Sequence, residues 1–362
     1  MDRAWIDGKE VSLKAAITDA ARLLAASRFP LIAGLGTDIA GARAAIALAA
    51  RVGAVIDHMH ADAMLRSLDV MRSAYLMTTT LAEVRLRADC LLLVGSGIGQ
   101  FDGLRALFGA DAGTRTITRN ITWLCPDRDA REIAKGMPIN IVGRDPADLP
   151  IVLAMLRARI AGRRIGKGPV APKAIDSIVD QLKATRFGVA LWSVEHLDAL
   201  ATEMLQGIVV DLNATTRFTS LPIELPDNAA GVLQACGWMT GYPMRTRFAR
   251  REPHHDPWMF DTARLVQSGE VDCALWISSY GSAEPEWTNA VPTIALIGAQ
   301  AQPRLPARVA IQVGRPGSDH DAVEFVSSVG ALATLPASKP SDTPSVARVV
   351  TDIAKLLSGG GA

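Results

Sequence analysis

Cysteine is scarce in this sequence, and the four cysteines that occur are far apart. Cys90, Cys125, Cys236 and Cys273 each lie in or beside an apolar run, and no CxxC pair is present. Zinc sites, iron–sulfur clusters and disulfide frameworks need cysteines at short or regular spacing, so the sequence predicts none of them. We expect buried free thiols in a protein of a reducing compartment.

Net charge and long apolar segments are also lacking. The chain has 38 Lys and Arg against 37 Asp and Glu, a net charge of +1, so no basic surface for nucleic-acid phosphates is expected. No apolar stretch approaches the roughly 18 residues that cross a bilayer, and the start, Met1-Asp2-Arg3-Ala4-Trp5, has no apolar core of signal-peptide length. The sequence predicts a cytoplasmic protein that binds neither nucleic acid nor membrane.

Short apolar runs typical of strands alternate with helical patterns along the chain. Apolar residues make up 49% of the 362 residues, which is enough for two domains with a core each. The alternation is typical of parallel sheets covered by helices on both faces, and it predicts an α/β fold of two Rossmann-like three-layer domains. The predicted strands are 29–34, 54–57, 90–95, 121–125, 188–192, 208–212, 273–278, 293–297 and 309–313. The predicted helices are 11–26, 38–52, 80–87, 101–108, 146–160, 174–183 and 346–357.

Two glycine-rich turns follow predicted strands, Gly34-Leu35-Gly36 and Gly95-Ser96-Gly97-Ile98-Gly99. Backbone N–H groups in such turns can hold a phosphate. Neither turn completes the GxGxxG spacing of dinucleotide-binding proteins, because Gly103 falls one place beyond the third glycine required after Gly97. We interpret both as tight strand-to-helix turns, in which glycine provides a positive φ.

A pair of histidines, His58-Met59-His60, follows the predicted strand 54–57 and precedes Asp62. Two imidazoles at i and i+2 after a strand can bind one metal ion, as in metal-dependent amidohydrolases. Such a site needs further histidines and a late carboxylate from other strands. The remaining histidines are His196, His254, His255 and His320. We expect hydrogen-bonded loop residues here, and a metal site stays an alternative.

Basic residues cluster in two further segments. Arg245, Arg247, Arg250 and Arg251 lie near His254-His255-Asp256, in a predicted loop. These arginines could bind an anion such as a phosphate or an oligoglutamate tail, pair with acids of a partner, or remain solvated. The segment 162–169 is basic and glycine-rich and cannot bury apolar surface, so it predicts a connector or an exposed loop.

Five segments spread along the chain carry a family resemblance. They are 4–13 (Ala-Trp-Ile-Asp-Gly-Lys-Glu-Val-Ser-Leu), 53–57 (Gly-Ala-Val-Ile-Asp), 80–89, 237–243 (Gly-Trp-Met-Thr-Gly-Tyr-Pro) and 269–277. In this order they resemble the B subunit of formylmethanofuran dehydrogenase, of the molybdopterin oxidoreductase superfamily. The resemblance implies a fold in which one α/β domain is inserted into another. It also implies an ancestral activity, reduction of carbon dioxide to formate at a tungsten or molybdenum held by two pterins and a cysteine.

The chain departs from that family where the cofactors bind. The family's metal-binding cysteine, followed by His-Gly-Pro, should fall a few residues after Asp57, but 59–66 reads Met-His-Ala-Asp-Ala-Met-Leu-Arg. The family's cysteine cluster before the Trp-Ile-Asp-Gly segment has no counterpart, and its Gly-Cys-Asn-Pro turn is replaced by Gly95-Ser96-Gly97-Ile98. These departures lead us to expect a chain with no pterin, metal or iron–sulfur cofactor.

This combination resembles the B subunit of the bacterial formyltransferase/hydrolase complex of one-carbon oxidation. The resemblance implies a non-catalytic structural subunit in a complex that converts formyl-tetrahydromethanopterin, through a formyl-methanofuran-like carrier, to formate. The implied partners are an amidohydrolase-type subunit, a formyltransferase subunit and a β-helical subunit. We assign six side chains to the remains of the old pocket, none of them catalytic: His58, His60, Asp62, Arg250, His254 and His255.

The implied chain path sets the expected domain boundaries. Residues 1–57 and 188–362 should form the first α/β domain, and 58–187 the inserted second domain, with a simple division at 162–169 as the alternative. Two other functions stay open. One is a working pterin oxidoreductase that uses Asp62 or His60 as an unusual metal ligand, and the other is a metal-dependent hydrolase that uses His58 and His60.

Overall fold

The polypeptide folds into two α/β units built from interleaved parts of the chain. The computed structural model describes residues 3–101, 104, 107, 119–135, 137–249, 252–281, 284–298 and 307–358. The first unit comprises Met1–Ala61, Leu225–Phe325 and Leu332–Ala362, and the second comprises Asp62–Glu224 with Val326–Ala331. The predicted α/β class with mostly parallel sheets is confirmed.

The strands of the described residues form one nine-stranded, one five-stranded and one two-stranded sheet. They are β1 Ala4–Ile6, β2 Lys9–Val11, β3 Pro30–Gly36, β4 Val55–Ile56, β5 Cys90–Val94, β6 Asn120–Leu124, β7 Ile139–Val142, β8 Gly188–Ser193, β9 Phe218–Ile223, β10 Thr246–Ala249, β11 Glu252–His255, β12 Cys273–Ser278, β13 Thr293–Gly298, β14 Val309–Val313, β15 Ala322–Val326 and β16 Ala331–Leu335.

The α-helices with described bounds follow most of the strands. They are α1 Leu13–Ala26, α2 Ile39–Val52, α3 Ala61–Ala74, α4 Leu81–Arg87, α5 Arg128–Ala134, α6 Leu149–Ile160, α7 Pro172–Ala184, α8 Ala199–Leu212, α9 Ala229–Thr240, α10 Thr262–Gln267 and α11 Val346–Ser358. Short 3₁₀ turns occupy Ile98–Gln100, Pro146–Asp148 and Glu286–Asn289. Among the residues described, no helix has both the length and the apolar character needed to cross a bilayer.

The nine-stranded sheet belongs to the first unit and has the order β11-β10-β4-β3-β12-β13-β14-β1-β2. Its five central strands are parallel, and an antiparallel hairpin lies at each edge. On one face, a cluster that includes Leu31, Ala33 and Trp276 is covered by Leu265 of α10. Helix α11 contacts α1 and α2, and α2 also contacts α9. Helices α1 and α2 pack on the sheet through contacts with β14 and β3.

The five-stranded sheet belongs to the second unit and has the order β7-β6-β5-β8-β9, with all strands parallel. Leu91, Leu93 and Trp123 of this sheet pack with Val84 of α4 and Ala130 of α5 on one face. On the other face α6 contacts both α7 and α8. Burial on both faces explains why the strand β5 reads as an unbroken apolar run.

The boundary predicted at residue 188 is wrong. Strand β8 pairs with β5, and β9 pairs with β8, so the segment 188–224 belongs to the second unit. The pairing of the backbones decides which unit this segment belongs to. The N–H and C=O groups of a buried parallel strand are satisfied only by neighbouring strands, and the neighbours of β8 and β9 lie in the five-stranded sheet. The chain leaves the first unit after Ala61 and returns to it at Leu225.

The strand predicted at 208–212 is also wrong, because these residues form the last part of helix α8. Short apolar runs with β-branched residues fit either element. Here Asp198 caps the helix by accepting a hydrogen bond from the Ala201 N–H (2.7 Å), and Leu205, Ile208 and Leu212 continue a buried helical face. The strand that the sheet uses is β9, which the sequence analysis missed.

Both edges of the nine-stranded sheet carry residues that do not favour further pairing. Strand β2 is Lys-Glu-Val, with Lys9 and Glu10 exposed. Strand β11 at the other edge contains Pro253, which has no backbone N–H to donate. Charged residues and proline are the usual means by which edge strands are kept from pairing with other chains.

Gly34 lies where the backbone of β3 comes closest to its neighbour β12. Its φ is +81°, and a Cβ atom at this position would lie 2.5 Å from the Ile277 carbonyl oxygen and 3.0 Å from the Trp276 ring. The next residue, Leu35, also has a positive φ of 56°. The turn therefore requires glycine at residue 34 for both its backbone conformation and its space.

We predict that Gly34→Ala lowers the free energy of unfolding by about 2 kcal/mol or more, because the new methyl group meets a backbone oxygen in a strained conformation. Gly237→Ala is the matched control. Gly237 is exposed in helix α9 with open space around it, so alanine there should raise stability by up to about 1 kcal/mol. Urea unfolding of both variants measures the effect. Equal midpoints for Gly34→Ala and the unmodified chain would contradict this account of the turn.

Candidate functional site

The loop after strand β4 carries the predicted histidine pair and lies at the carboxyl end of the nine-stranded sheet. Ligands of open parallel sheets bind at this end. The loop continues along β3, because the Asp57 N–H donates to the Ile32 carbonyl (3.0 Å) and the Met59 N–H to the Gly34 carbonyl (3.1 Å). Asp57 and His58 are consequently buried, each 3% exposed.

Asp57 is a buried carboxylate held by several donors. It accepts hydrogen bonds from the His58 N–H (2.9 Å), the Thr262 N–H (3.1 Å) and the Thr262 hydroxyl (2.7 Å). The Arg245 Nε lies 3.6 Å from its Oδ2. Burial raises the pKa of Asp57 to about 6, although the Arg245 charge and the hydrogen bonds oppose this.

Arg245 joins Asp57 to a second carboxylate. Its Nη2 lies 2.5 Å from the Asp261 Oδ2, and its Nη1 donates to the Pro257 carbonyl (2.8 Å). The residue adopts a positive φ of 59°, which is rare for a side chain of this size. The network thus links the end of β4, the start of β10 and the N-terminus of α10.

His58 is a neutral imidazole in this site. Its Nδ1 accepts a hydrogen bond from the His60 N–H (3.0 Å), so we assign the ring proton to Nε2. Burial lowers the pKa of His58 to about 3, with a further decrease from the charge of His60 and an opposing effect of Asp227. The Nε2 makes no hydrogen bond of normal geometry with a described residue, although the Asp227 backbone carbonyl lies near enough to favour the protonated ring.

The His60 side chain is paired with the carboxylate of Asp227. Its Nε2 lies 3.2 Å from the Asp227 Oδ2, and its ring centroid lies 5.5 Å from that of His58. Within the described part of the chain, no group of three or more His, Cys, Asp or Glu side chains converges as a metal ion would require. The geometry of this loop is a hydrogen-bond network.

The structure brings only some of the predicted pocket residues to this network. The loop predicted around His254 and His255 is wrong, because both residues belong to strand β11, where pairing with β10 satisfies their backbone. His255 stacks on Tyr242 (centroids 6.1 Å apart), and its Nδ1 lies 3.0 Å from the Arg245 carbonyl oxygen. His254 packs edge-on against Phe260 (5.5 Å).

Two residues of the predicted pocket are left, Asp62 and Arg250. Asp62 lies in the first turn of α3 and belongs to the second unit. Arg250 and its neighbour Arg251 lie outside the described residues. The pocket assigned from the sequence is therefore represented in the first unit by His58, His60 and, one strand beyond β10, His254 and His255.

Two of the arginines predicted to bind an anion, Arg245 and Arg247, contact other side chains of the chain. The Arg245 side chain is 11% exposed and pairs with Asp57 and Asp261. The Arg247 guanidinium stacks over the Phe29 ring at 4.0 Å. Ion pairs within the fold therefore already engage the Arg245 guanidinium group.

Near each glycine-rich turn, a carboxylate of the chain accepts hydrogen bonds from backbone N–H groups. The Gly97 N–H donates to the Asp127 Oδ2 (3.1 Å), and the same side chain caps α5 through the Ala130 N–H (2.6 Å). After Gly36, Asp38 caps α2 by accepting from the Gly41 N–H (2.9 Å). A carboxylate at a helix N-terminus takes the position that a phosphate would need, so the interpretation of these segments as turns agrees with the geometry.

All four cysteines are buried free thiols. Cys90 and Cys273 each begin a buried strand, Cys236 lies within α9, and Cys125 follows β6. Burial raises the pKa of the Cys90, Cys236 and Cys273 thiols to about 12. Among the described residues, none of these cysteines belongs to a group of three or more His, Cys, Asp or Glu side chains that could hold a metal ion.

Three members of the network were missed in the sequence. Asp227 lies in a Pro-Asp-Asn turn, and Asp261 and Thr262 begin a short helix. Their spacing from Asp57 is long and irregular, so only the fold brings them together. A Ser193–His196 contact (2.9 Å) after β8 was also missed, and among the described residues no carboxylate orients this exposed histidine.

Comparison with known proteins gives a consistent set of relatives, although no protein-family model matches the chain. It is 34% identical over 350 residues to the B subunit of the formyltransferase/hydrolase complex Fhc of Methylorubrum extorquens, covering 94% of this chain and 93% of that protein. It is 30% identical over 295 residues to the B subunit of the tungsten-containing formylmethanofuran dehydrogenase 2 of Methanocaldococcus jannaschii. The latter match covers 75% of this chain and 65% of the relative.

A solved structure supports the same relation. A chain of the X-ray structure of the formyltransferase/hydrolase complex FhcABCD from Methylorubrum extorquens, in complex with methylofuran, superimposes with a TM-score of 0.88. The two chains are 33% identical, and the superposition covers 99% of each.

We predict that His58→Asn reduces the sensitivity of the fold to mild acid. The folded pKa of His58 lies below that of an unfolded histidine, so its contribution to stability is complete above pH 6.5 and is lost as the pH falls toward 3. Between pH 7 and 5 the unmodified chain should lose about 2 kcal/mol relative to His58→Asn, whose amide oxygen can still accept from the His60 N–H. Urea unfolding at the two pH values measures this difference.

Asp57 contributes in the opposite direction, since its raised folded pKa favours the fold at acid pH and this contribution is lost as the pH rises through 6. Both proteins share that contribution, so it cancels in the comparison. NMR of the histidine rings gives an independent check. A His58 ring that titrates between pH 7 and 6 would refute the assignment of a buried neutral imidazole.

Proposed function

The chain belongs to the B-subunit family of the formyltransferase/hydrolase complex, and we propose that it serves in such a complex as a non-catalytic structural subunit. The proposed complex converts formyl-tetrahydromethanopterin, through a formyl-methanofuran-like carrier, to formate. The proposed partners are an amidohydrolase-type subunit, a formyltransferase subunit and a β-helical subunit, in the cytoplasm. The match to a chain of the FhcABCD complex supports partner subunits in general.

One observation carries the non-catalytic role. The loop that should supply a cysteine thiolate to the metal holds a buried, neutral His58 and a His60 paired with Asp227. Each of these side chains is engaged within the fold, so the loop offers no soft anionic ligand for tungsten or molybdenum. Hydrolysis of a formamide needs no electron transfer, so a subunit of this fold can be retained for its shape and its contacts.

The glycine-rich turns support the same proposal. A pterin dinucleotide brings phosphates to the carboxyl ends of the strands, where backbone N–H groups must be available. Asp127 and Asp38 already accept from these groups and would repel a second anion. We therefore propose that the chain holds no pterin, metal or iron–sulfur cofactor.

The first alternative is an active B subunit of formylmethanofuran dehydrogenase. The relatives of that type are 30% and 25% identical to this chain, which spans 65% of the length of each. The second alternative is a metal-dependent hydrolase that uses His58 and His60. Hydrogen bonds already engage the His58 Nδ1 and the His60 Nε2, which does not favour that role.

The proposal is tested by purifying the chain from its native host together with the subunits that accompany it. We expect a stable complex of this chain with a hydrolase and a formyltransferase subunit, identified by mass spectrometry. The tungsten and molybdenum content of the chain should be far below one atom per copy. His58→Asn and His60→Gln complexes should hydrolyse the formylated carrier at nearly the unmodified rate, because these side chains do not touch the reacting atoms.

Each alternative gives a different result. Stoichiometric tungsten or molybdenum, or formate oxidation with an artificial dye, would establish the oxidoreductase. Loss of hydrolysis in an assembled His58→Asn complex would establish the metal hydrolase.

A further inference from the structure

The second unit carries a run of cations that the proposed function does not use. Residues 149–175 contain six Lys and Arg and no Asp or Glu, in a chain whose net charge is only +1. Two of the six are paired, Arg157 with Asp211 and Arg159 with Asp176. The other four form what we call the basic connector: Arg163, Arg164, Lys167 and Lys173. All four are exposed, and their side chains form no ion pair with a described residue.

The cations are not needed to cap helix α6, which ends just before Arg163. The C-terminal carbonyls of α6 accept from the backbone N–H groups of Ala161, Gly162 and Arg163 at 2.9–3.1 Å. The Lys183 ammonium also donates to the Ile160 carbonyl (2.9 Å). The end of the helix is therefore satisfied without the side chains of the connector.

The loop 162–170, which carries three of these cations, is fixed at both ends. Gly162 has a φ of +74° and turns the chain away from α6. At the other end, Gly168 packs so closely on Met155 that a Cβ atom there would lie 2.6 Å from the sulfur, and Val170 is buried. Around Gly166, between these points, there is open space. Arg163, Arg164 and Lys167 therefore lie on an anchored loop, and Lys173 lies in the first turn of α7. Anchoring of this kind reduces the entropy lost when a partner binds.

A cavity of about 540 Å³ adjoins the end of the connector. Its walls include Arg144 after β7, Pro169 and Val170 of the connector segment, and Ala174 and Ser177 of α7. Arg144 is exposed and forms no ion pair with any residue described, while Asp148 is the carboxylate on the cavity wall. Arg144 thus lies on the wall of the cavity, and the cavity is also lined by residues next to Lys173 and close in sequence to Lys167.

We propose that the basic connector and Arg144 form a docking surface for an acidic segment of a partner protein, with Asp and Glu side chains along its length. Arginine binds a carboxylate through two parallel hydrogen bonds, and three of the five cations are arginines. Nucleic acid fits the surface poorly. Residues 124–186 contain no Phe, Trp or Tyr on which a base could stack.

The test measures binding of fluorescein-labelled octaglutamate to the full chain by anisotropy, at 50 and 300 mM NaCl. Exposed charge pairs contribute roughly two- to threefold each. The variant Arg163→Gln/Arg164→Gln/Lys167→Gln should therefore bind about tenfold more weakly than the unmodified chain at low salt. The three side chains are exposed, so the thermal midpoint should stay unchanged.

The matched control removes three exposed cations elsewhere, as Arg22→Gln/Arg72→Gln/Lys135→Gln. These pair with Asp19, Asp69 and Glu132 on their own helices, and the change in net charge is the same. The control should bind within about twofold of the unmodified chain. Equal weakening in both variants, or none in the connector variant, overturns the proposal. Tighter binding of a labelled oligouridylate than of the peptide also overturns it. The test needs no partner subunit, so it does not depend on the proposed function.

Discussion

The carboxylate of Asp57 organises one side of the nine-stranded sheet. A short strand of two residues, β4, provides little pairing of its own, and three separate donors fix the loop that follows it. Arg245 extends the same contacts to Asp261 and so ties β10 and α10 to β4. A buried charge is tolerated only where partners surround it, and here the partners come from segments about 190 and 205 residues away along the chain.

Carboxylates of the chain occupy positions at the strand ends that an anionic ligand would otherwise use. Asp38 and Asp127 cap helices directly after the two glycine-rich turns, and Asp227 pairs with His60. The same pattern recurs in both units, although each has its own sheet. The N–H groups of Gly41, Gly97 and Ala130 are thus satisfied by carboxylates of the chain itself. This agrees with a fold that has been retained for assembly rather than for redox chemistry.

The sequence predicted the regular elements well where local signals were strong. Helix α2 begins after its cap Asp38 and ends at Gly53, whose φ is +70°, and strands β12 and β14 have the predicted bounds. Predictions failed where tertiary context decides. The run 208–212 fits a strand or a helix equally, and the helix is identified by its cap at Asp198 and by the buried face that continues from Leu205.

The site was predictable only in part. His58 and His60 could be found because they are two residues apart at the end of a strand, but Asp227 and Thr262 share no local pattern with them. The exposed basic segment at 162–169 was recognised from composition alone. Which of its neighbouring cations find an acid could not be predicted, because Arg157 and Arg159 belong to the same run and pair with acids on α8 and α7.

The two edge strands of the nine-stranded sheet, β2 and β11, affect the tendency of the free chain to aggregate. In a chain that has not bound other proteins, edge strands can pair with strands of identical copies, which leads to cross-β growth or strand swapping. Pro253 on one border and the charged Lys9 and Glu10 on the other remove the template that such growth needs. Growth of the nine-stranded sheet by addition of a foreign strand is therefore disfavoured by the residues of its own edge strands.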